Sequence, residues 1–154
     1  MAEHRIVASL QPYFTDDETR WLMNRLGPVR EAWTNCFQAL LAAGVPVALG
    51  SDWPVTRVDP LWGIHSATTR KDLDSAATPA LWSGRQRMTV PEAIAAYTRG
   101  NAWAGFRETR TGTLEPGKAA DLVVLSQDLL APGVDAREVE VDMTVVGGEV
   151  AFAR

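Results

Sequence analysis

The chain has 154 residues, 46% hydrophobic and 22% charged, a formal net charge of −4 and one cysteine, Cys36. That length and balance suit one domain with a real core and exclude a disordered or collagen-like chain. The mild acidity speaks against a nucleic-acid or anionic-membrane partner, and a single cysteine excludes an internal disulfide.

"MAEHRIVASLQPYF" lacks a basic region followed by a long apolar run, so no signal peptide is expected. No apolar segment approaches the roughly 20 residues that a membrane span needs. A soluble, cytoplasmic protein is the expectation. The first element is "RIVASLQP", residues 5–12, a short partly β-branched run stopped by Pro12 and expected to be a strand. Thr15 and Glu18 then have capping-box spacing, with Asp16 and Asp17 in the first turn, and Gly27 is placed to end the helix. A second helix is expected over 30–43, with Trp33, Phe37, Leu40 and Leu41 on one face, Cys36 as a small buried hydrophobe inside it and Gly44 at its end.

The strand "VPVALG" follows at once. Strand, helix, helix, strand with tight joints reads as a βαβ unit feeding a parallel sheet, and the unbroken apolar run fits a strand covered on both faces. "DPLWGIHSATTR" predicts a helix starting near Asp59 and Pro60, and residues 72–88, without periodicity, predict a loop. Thr89 and Glu92 form a second capping box, launching a helix with Ile94, Tyr97 and Ala102 or Trp103 on one stripe. Beyond it, Glu115-Pro116-Gly117-Lys118 reads as a turn, "DLVVL" as a strand, and the two runs around Gly147-Gly148 as a hairpin. Residues 111–154 thus read as a small β unit.

Ligands and catalysis in parallel α/β sheets gather at the carboxyl ends of the strands. Asp52 lies just beyond "VALG", at such an end. A carboxylate there suits a metal ligand or a general base, and equally a cap for the next segment or an arginine's partner. Trp53 offers an apolar wall with one N–H donor, or simple packing under the loop. His4 and His65 are the only histidines, and His65 is the better candidate because it follows the Asp52 loop by one helix. Glu115–Lys118 lacks the glycine pattern of a phosphate-binding loop, and Ser51 lacks nucleophile-elbow spacing. A catalytic zinc site usually needs three protein ligands, mostly histidines, and two distant histidines do not make one.

"AGVPVALGSDWPV", "DPLWGIHSATTR", "TVPEAIAAYTRGNAWAGF", "GTLEPGKAADLVVL" and "TVVGGEVAF", in that order, resemble the C-terminal part of the amidohydrolase superfamily. The nearest branch is the amidohydrolase 3 group of metal-dependent amidases. The resemblance implies an α/β fold: the last two strands and helices of a (β/α)8, TIM-like barrel over residues 1–109, then a β-sandwich segment over 110–154. It implies hydrolysis of non-peptide carbon–nitrogen bonds in a small-molecule amide or N-acyl substrate, with a divalent metal, zinc by preference. Asp52 matches the family's aspartate at the end of the eighth strand, which binds the metal and shuttles a proton from the attacking water to the leaving nitrogen. Trp53 and His65 are the substrate-side candidates. The family's histidine-rich strands have no counterpart in these 154 residues, and neither histidine takes a ligand role from it. The chain therefore reads as the last quarter to third of a longer enzyme, inactive alone. It is expected to form a homo-oligomer or to need a barrel segment preceding it, because two barrel strands leave an open edge. The alternative is a non-catalytic remnant that survives as an oligomerising interaction module.

Overall fold

The computed structural model describes residues 1–70 and 84–154. Strand β1 (Ala8–Leu10) and strand β2 (Val47–Leu49) pair in parallel, Ala8 opposite Val47 and Leu10 opposite Leu49. All three residues of β2 are buried, as expected of a strand covered on both faces. β1 is shorter than the expected run because residues Ala2–His4 wind into a 3-10 turn that ends with Arg5 in the left-handed region.

Helix α1 (Tyr13–Glu31) connects the strands and is broken at Gly27, whose φ of 70° leaves the helical region. It starts two residues before the expected capping box: Pro12 is the N-cap, and Thr15 lies inside, fully buried. The side chain of Glu18, the box's other half, lies outside the described residues. The second helix is also corrected. Instead of one helix over 30–43, the chain turns at 32–36 and resumes as helix α2 (Phe37–Ala42). Arg70 supplies the reason. It is fully buried, and its guanidinium takes the Asn35 carbonyl at 2.6 Å and the Thr34 carbonyl at 3.1 Å, drawing both away from helical bonding. Trp33 consequently faces solvent at 70% exposure, while Phe37 is fully buried, a burial contributing on the order of 2–3 kcal/mol. Cys36 is the half-buried N-cap of α2 rather than an interior residue. Gly44, with φ of 70°, ends α2.

Helix α3 (Pro60–Thr69) begins where the sequence predicts, with the Asp59 carboxylate accepting from the Leu61 N–H at 2.9 Å and Pro60 in the first turn. The expected loop over 72–88 falls largely on residues 71–83, which lie outside the described residues; 84–86 form one 3-10 turn. Thr89 and Glu92 close the predicted capping box on helix α4 (Val90–Ala95). The helix continues through a π-turn (Ala96–Gly100) into α5 (Asn101–Ala104). The wider turn resets the stripe, so that Ala102 is buried and Trp103 only half-buried.

The second sheet is antiparallel, in the order β3 (Leu122–Leu125), β4 (Val141–Val146), β5 (Glu149–Ala153). Gly147 and Gly148 both take positive φ, 60° and 87°, as a two-residue hairpin requires. The Glu115–Lys118 stretch is the expected turn, closed by the Lys118 N–H on the Glu115 carbonyl at 3.1 Å. Leu129, Ala136 and Val139, from the connection between β3 and β4, share one core with Ala8, Phe37, Val47, Leu49 and Ile64.

Candidate active site at the end of β2

β2 ends at Leu49, and the chain leaves through Gly50 and Ser51 to Asp52. Asp52 is exposed and its φ is 59°, a left-handed conformation that aspartate tolerates better than most residues. Sparsely populated backbone of this kind persists only where the surroundings dictate it, and it gathers at functional sites. The surroundings are on view. The Asp52 carbonyl accepts from the Val55 N–H at 2.8 Å, the Ser51 hydroxyl accepts from the Trp53 N–H at 3.2 Å, and the Thr56 hydroxyl donates back to the Ser51 carbonyl. The peptide between Trp53 and Pro54 is cis. The three hydrogen bonds fold the loop on itself and leave Asp52 exposed, with Trp53, Val55 and Val58 in the same loop each about 70% exposed.

Two neighbours anchor this strand end. Val47 and Leu49 direct their carbonyls away from β1, because the ladder uses the Pro46 carbonyl, accepting from the Ala8 N–H, and the Gly50 N–H, donating to Leu10. The Leu49 carbonyl instead accepts from Asn101 Nδ2 at 2.9 Å. A Cβ on Gly100 would stand 2.1 Å from the Val47 carbonyl oxygen, so the π-turn lies directly on that edge. Tyr97, in the same turn, sets its hydroxyl over Gly63 of α3, where a Cβ would come within 1.8 Å. Burial pushes the Tyr97 phenol well above its ordinary value, and the nearby Tyr13 and Asp59 push the same way. At the loop's far end Arg57 stacks 3.9 Å over the Trp62 ring, which in turn lies parallel to Tyr13.

His65 is elsewhere. It is buried in α3, its Nδ1 2.8 Å from Asp135 Oδ1. An ionised carboxylate only accepts, so Nδ1 carries the proton. Asp135 also accepts from the Arg137 guanidinium at 2.6 and 3.1 Å and from the Arg137 backbone N–H at 3.0 Å. Chiefly the bonds from Arg137, and then the His65 ring, hold Asp135 below the usual carboxylate range against its partial burial. A cavity of about 240 Å³ beside this pair is lined by His65, Thr68, Val90 and Leu129 among others, and neither Asp52 nor Trp53 lines it. Asp52 and Trp53 are thus brought together, and His65 stands apart from them. His4 ends the first 3-10 turn and is exposed.

Sequence reasoning missed Asn101 and Asp135, and gave Tyr97 only a place on a helical stripe. For Asn101 a signal existed: a short amide side chain directly after a helical glycine, where helix propensity favours neither. Among the described residues, no group of three or more His, Cys, Asp or Glu converges to hold a metal ion. Asp52 offers one hard oxygen donor, which fits a single coordination position and not a whole site.

Comparison with known proteins identifies the family. The model of the amidohydrolase family, Amidohydro_3, matches residues 1–152. YtcJ of Bacillus subtilis is 34% identical over 152 residues, covering 97% of this chain and 28% of YtcJ. The N-substituted formamide deformylase of Arthrobacter pascens is 33% identical over 119 residues, covering 76% of this chain and 21% of that enzyme. Among solved structures, an uncharacterized metal-dependent hydrolase from Pyrococcus furiosus superposes with a TM-score of 0.65 at 27% identity, covering 77% of this chain and 23% of that one. The chain thus spans about a quarter of the length of these proteins, and between 76% and 97% of it aligns with them. It belongs to the amidohydrolase family.

Proposed function

We propose that this chain carries the Asp52 end of a metal-dependent hydrolase acting on carbon–nitrogen bonds other than peptide bonds. The observation that carries the reading is Asp52 itself: an exposed carboxylate in left-handed backbone, three residues past a buried parallel strand. The family match supports the class, and the names of the formamide deformylase and of the Pyrococcus furiosus metal-dependent hydrolase support amide chemistry with a divalent metal. In this reading residues 1–109 are the last two strands and helices of a (β/α)8 barrel, and residues 110–154 belong to a β-sandwich.

Asp52 would give one carboxylate oxygen to a divalent metal, zinc by preference, whose chemistry is to lower the pKa of bound water. The carboxylate also accepts a proton from the attacking water and returns it to the leaving nitrogen. Trp53 gives the substrate's side chain an apolar wall. The substrate-side role expected of His65 is not kept in this reading, because its ring is buried on Asp135 and stands apart from Asp52 and Trp53. A small-molecule amide or N-acyl compound in the cytoplasm is the substrate, and the remaining metal donors come from outside the described residues, through a barrel segment or a second subunit.

The test is hydrolysis of N-formyl and N-acyl amines by the protein in its natural assembly, with bound metal measured on the same sample. Asp52→Asn should abolish turnover and lower the metal content; a variant with full activity refutes the assignment. A second reading, an oligomerising interaction module, draws on Val123, Val150 and Phe152, which leave the small sheet about half exposed. Unaltered self-association in a protein without turnover would favour it.

A further inference from the structure

We propose that Asn101 is a positioning residue for Asp52, fixing the strand end from which that carboxylate departs. The inference deepens the proposed function and rests on it for its catalytic meaning. Its structural part stands on three observations. One amide nitrogen, Asn101 Nδ2, serves two carbonyls: Tyr97 in its own helix at 3.0 Å and Leu49 of β2 at 2.9 Å. An amide nitrogen has two hydrogens, so both bonds form at once and the residue is a clamp between helix and strand.

The helix is shaped for that clamp. The π-turn over Ala96–Gly100 interrupts a helix that is otherwise α, and such turns recur where a helix is re-aimed for function. Gly100 is what allows the approach. A side chain there would meet the Val47 carbonyl, and the Leu49 carbonyl one pleat further along would move out of Asn101's reach. Turn and glycine together bring one donor to the last carbonyl of the strand.

That carbonyl is a point of leverage. Leu49 is the last strand residue, and the next N–H, of Gly50, makes the final ladder bond to Leu10 at 2.9 Å. Beyond it, among the described residues, the hydrogen bonds that hold residues 51–56 are internal to the loop, and the next outside contact is Arg57 over the Trp62 ring at the loop's far end. The Leu49 peptide therefore sets the direction of Gly50, Ser51 and Asp52. Catalytic groups lose much of their effect when displaced by about an ångström.

The test is Asn101→Ser in the 154-residue chain, read by amide hydrogen exchange. A serine hydroxyl can bond the carbonyl four residues back, as Ser66 does to Trp62 and Thr98 to Ile94, but it is too short to reach Leu49 as well. The variant thus removes the strand bond and keeps the helix. The Gly50 and Val55 amides should exchange roughly three- to tenfold faster, the effect of one lost neutral hydrogen bond. The β4 amides should be unchanged. Unchanged protection at Gly50 and Val55, or an equal rise throughout the chain, overturns the proposal. Asn101→Asp keeps the shape and removes the donor, so wild-type exchange there would also overturn it. None of these readouts needs turnover. Full activity of Asp52→Asn would refute the catalytic assignment while leaving the exchange result intact, so the two failures are distinguishable.

Discussion

Replacing Gly100 by alanine puts the contact between helix and strand under a direct test. In an exposed helix interior this exchange normally stabilises, by about 1 kcal/mol. Here the added Cβ would stand 2.1 Å from the Val47 carbonyl oxygen and 3.1 Å from its carbon, where real Cβ atoms essentially never come closer than 3.0 Å. The obstacle is backbone, with no flexible side chain to swing aside, so helix and strand must separate by about 0.9 Å. Overpacking of this kind costs roughly 1–3 kcal/mol, and stretching the bond from Asn101 to Leu49 adds about 1 kcal/mol. Set against the propensity gain, the net is a loss of about 2 kcal/mol. For a chain of this length that lowers the melting temperature by roughly 4–8 °C. The assay is thermal and urea unfolding of Gly100→Ala beside Gly50→Ala, a position with no heavy atom within 4 Å of the added carbon. A Gly100→Ala protein as stable as the parent, or more so, would refute the reasoning.

Arg70→Ala should cost about 3–5 kcal/mol in urea unfolding, because it removes a fully buried cation 4.0 Å from the nearly inaccessible Glu31 carboxylate and the donor to two loop carbonyls; a loss below about 1 kcal/mol would show that water replaces the guanidinium. The Asp135 carboxyl is held below its ordinary value, so its contribution is present at neutral pH and drains away as pH falls below about 4. Asp135→Asn should therefore flatten the acid limb of the stability–pH curve, and an unchanged limb would refute the role of the Arg137 and His65 bonds. Thr89→Ala breaks a capping box whose two halves are the Glu92 N–H to the Thr89 hydroxyl at 3.3 Å and the Thr89 N–H to the Glu92 carboxylate at 2.7 Å. It should cost about 1 kcal/mol by denaturant midpoint.

What the sequence made legible was local or periodic. The buried strand that delivers Asp52 is announced by its continuous apolar run, and the α4 cap by Thr89 and Glu92 at the right spacing. The Gly147-Gly148 hairpin depends on two backbones with positive φ that glycine adopts freely. What stayed hidden depends on partners far apart in the chain. The break after Glu31 is enforced by Arg70, 35 residues beyond the carbonyl it takes, and helix propensity over 30–43 gives no hint of it. Asn101 reaches Leu49 across 52 residues and His65 meets Asp135 across 70. The early start of α1 hid for another reason: Thr15 has the residue type of a cap, but Pro12, with its fixed φ, already begins the turn. Asp52 was legible as a candidate because strand ends are where such folds place chemistry, whereas its left-handed backbone is visible only in three dimensions.

Leu129, Ala136 and Val139 lie after β3 in the chain, yet they sit in the core that also holds the two parallel strands. A boundary drawn near residue 110 therefore separates sequence motifs without separating folding units. Expressing residues 1–109 alone would delete part of the wall against which α3 packs, together with the carboxylate that holds His65. The small sheet is hung on a connection that runs through the interior, so the two halves should melt as one cooperative unit, and neither should be recoverable by trimming away the other.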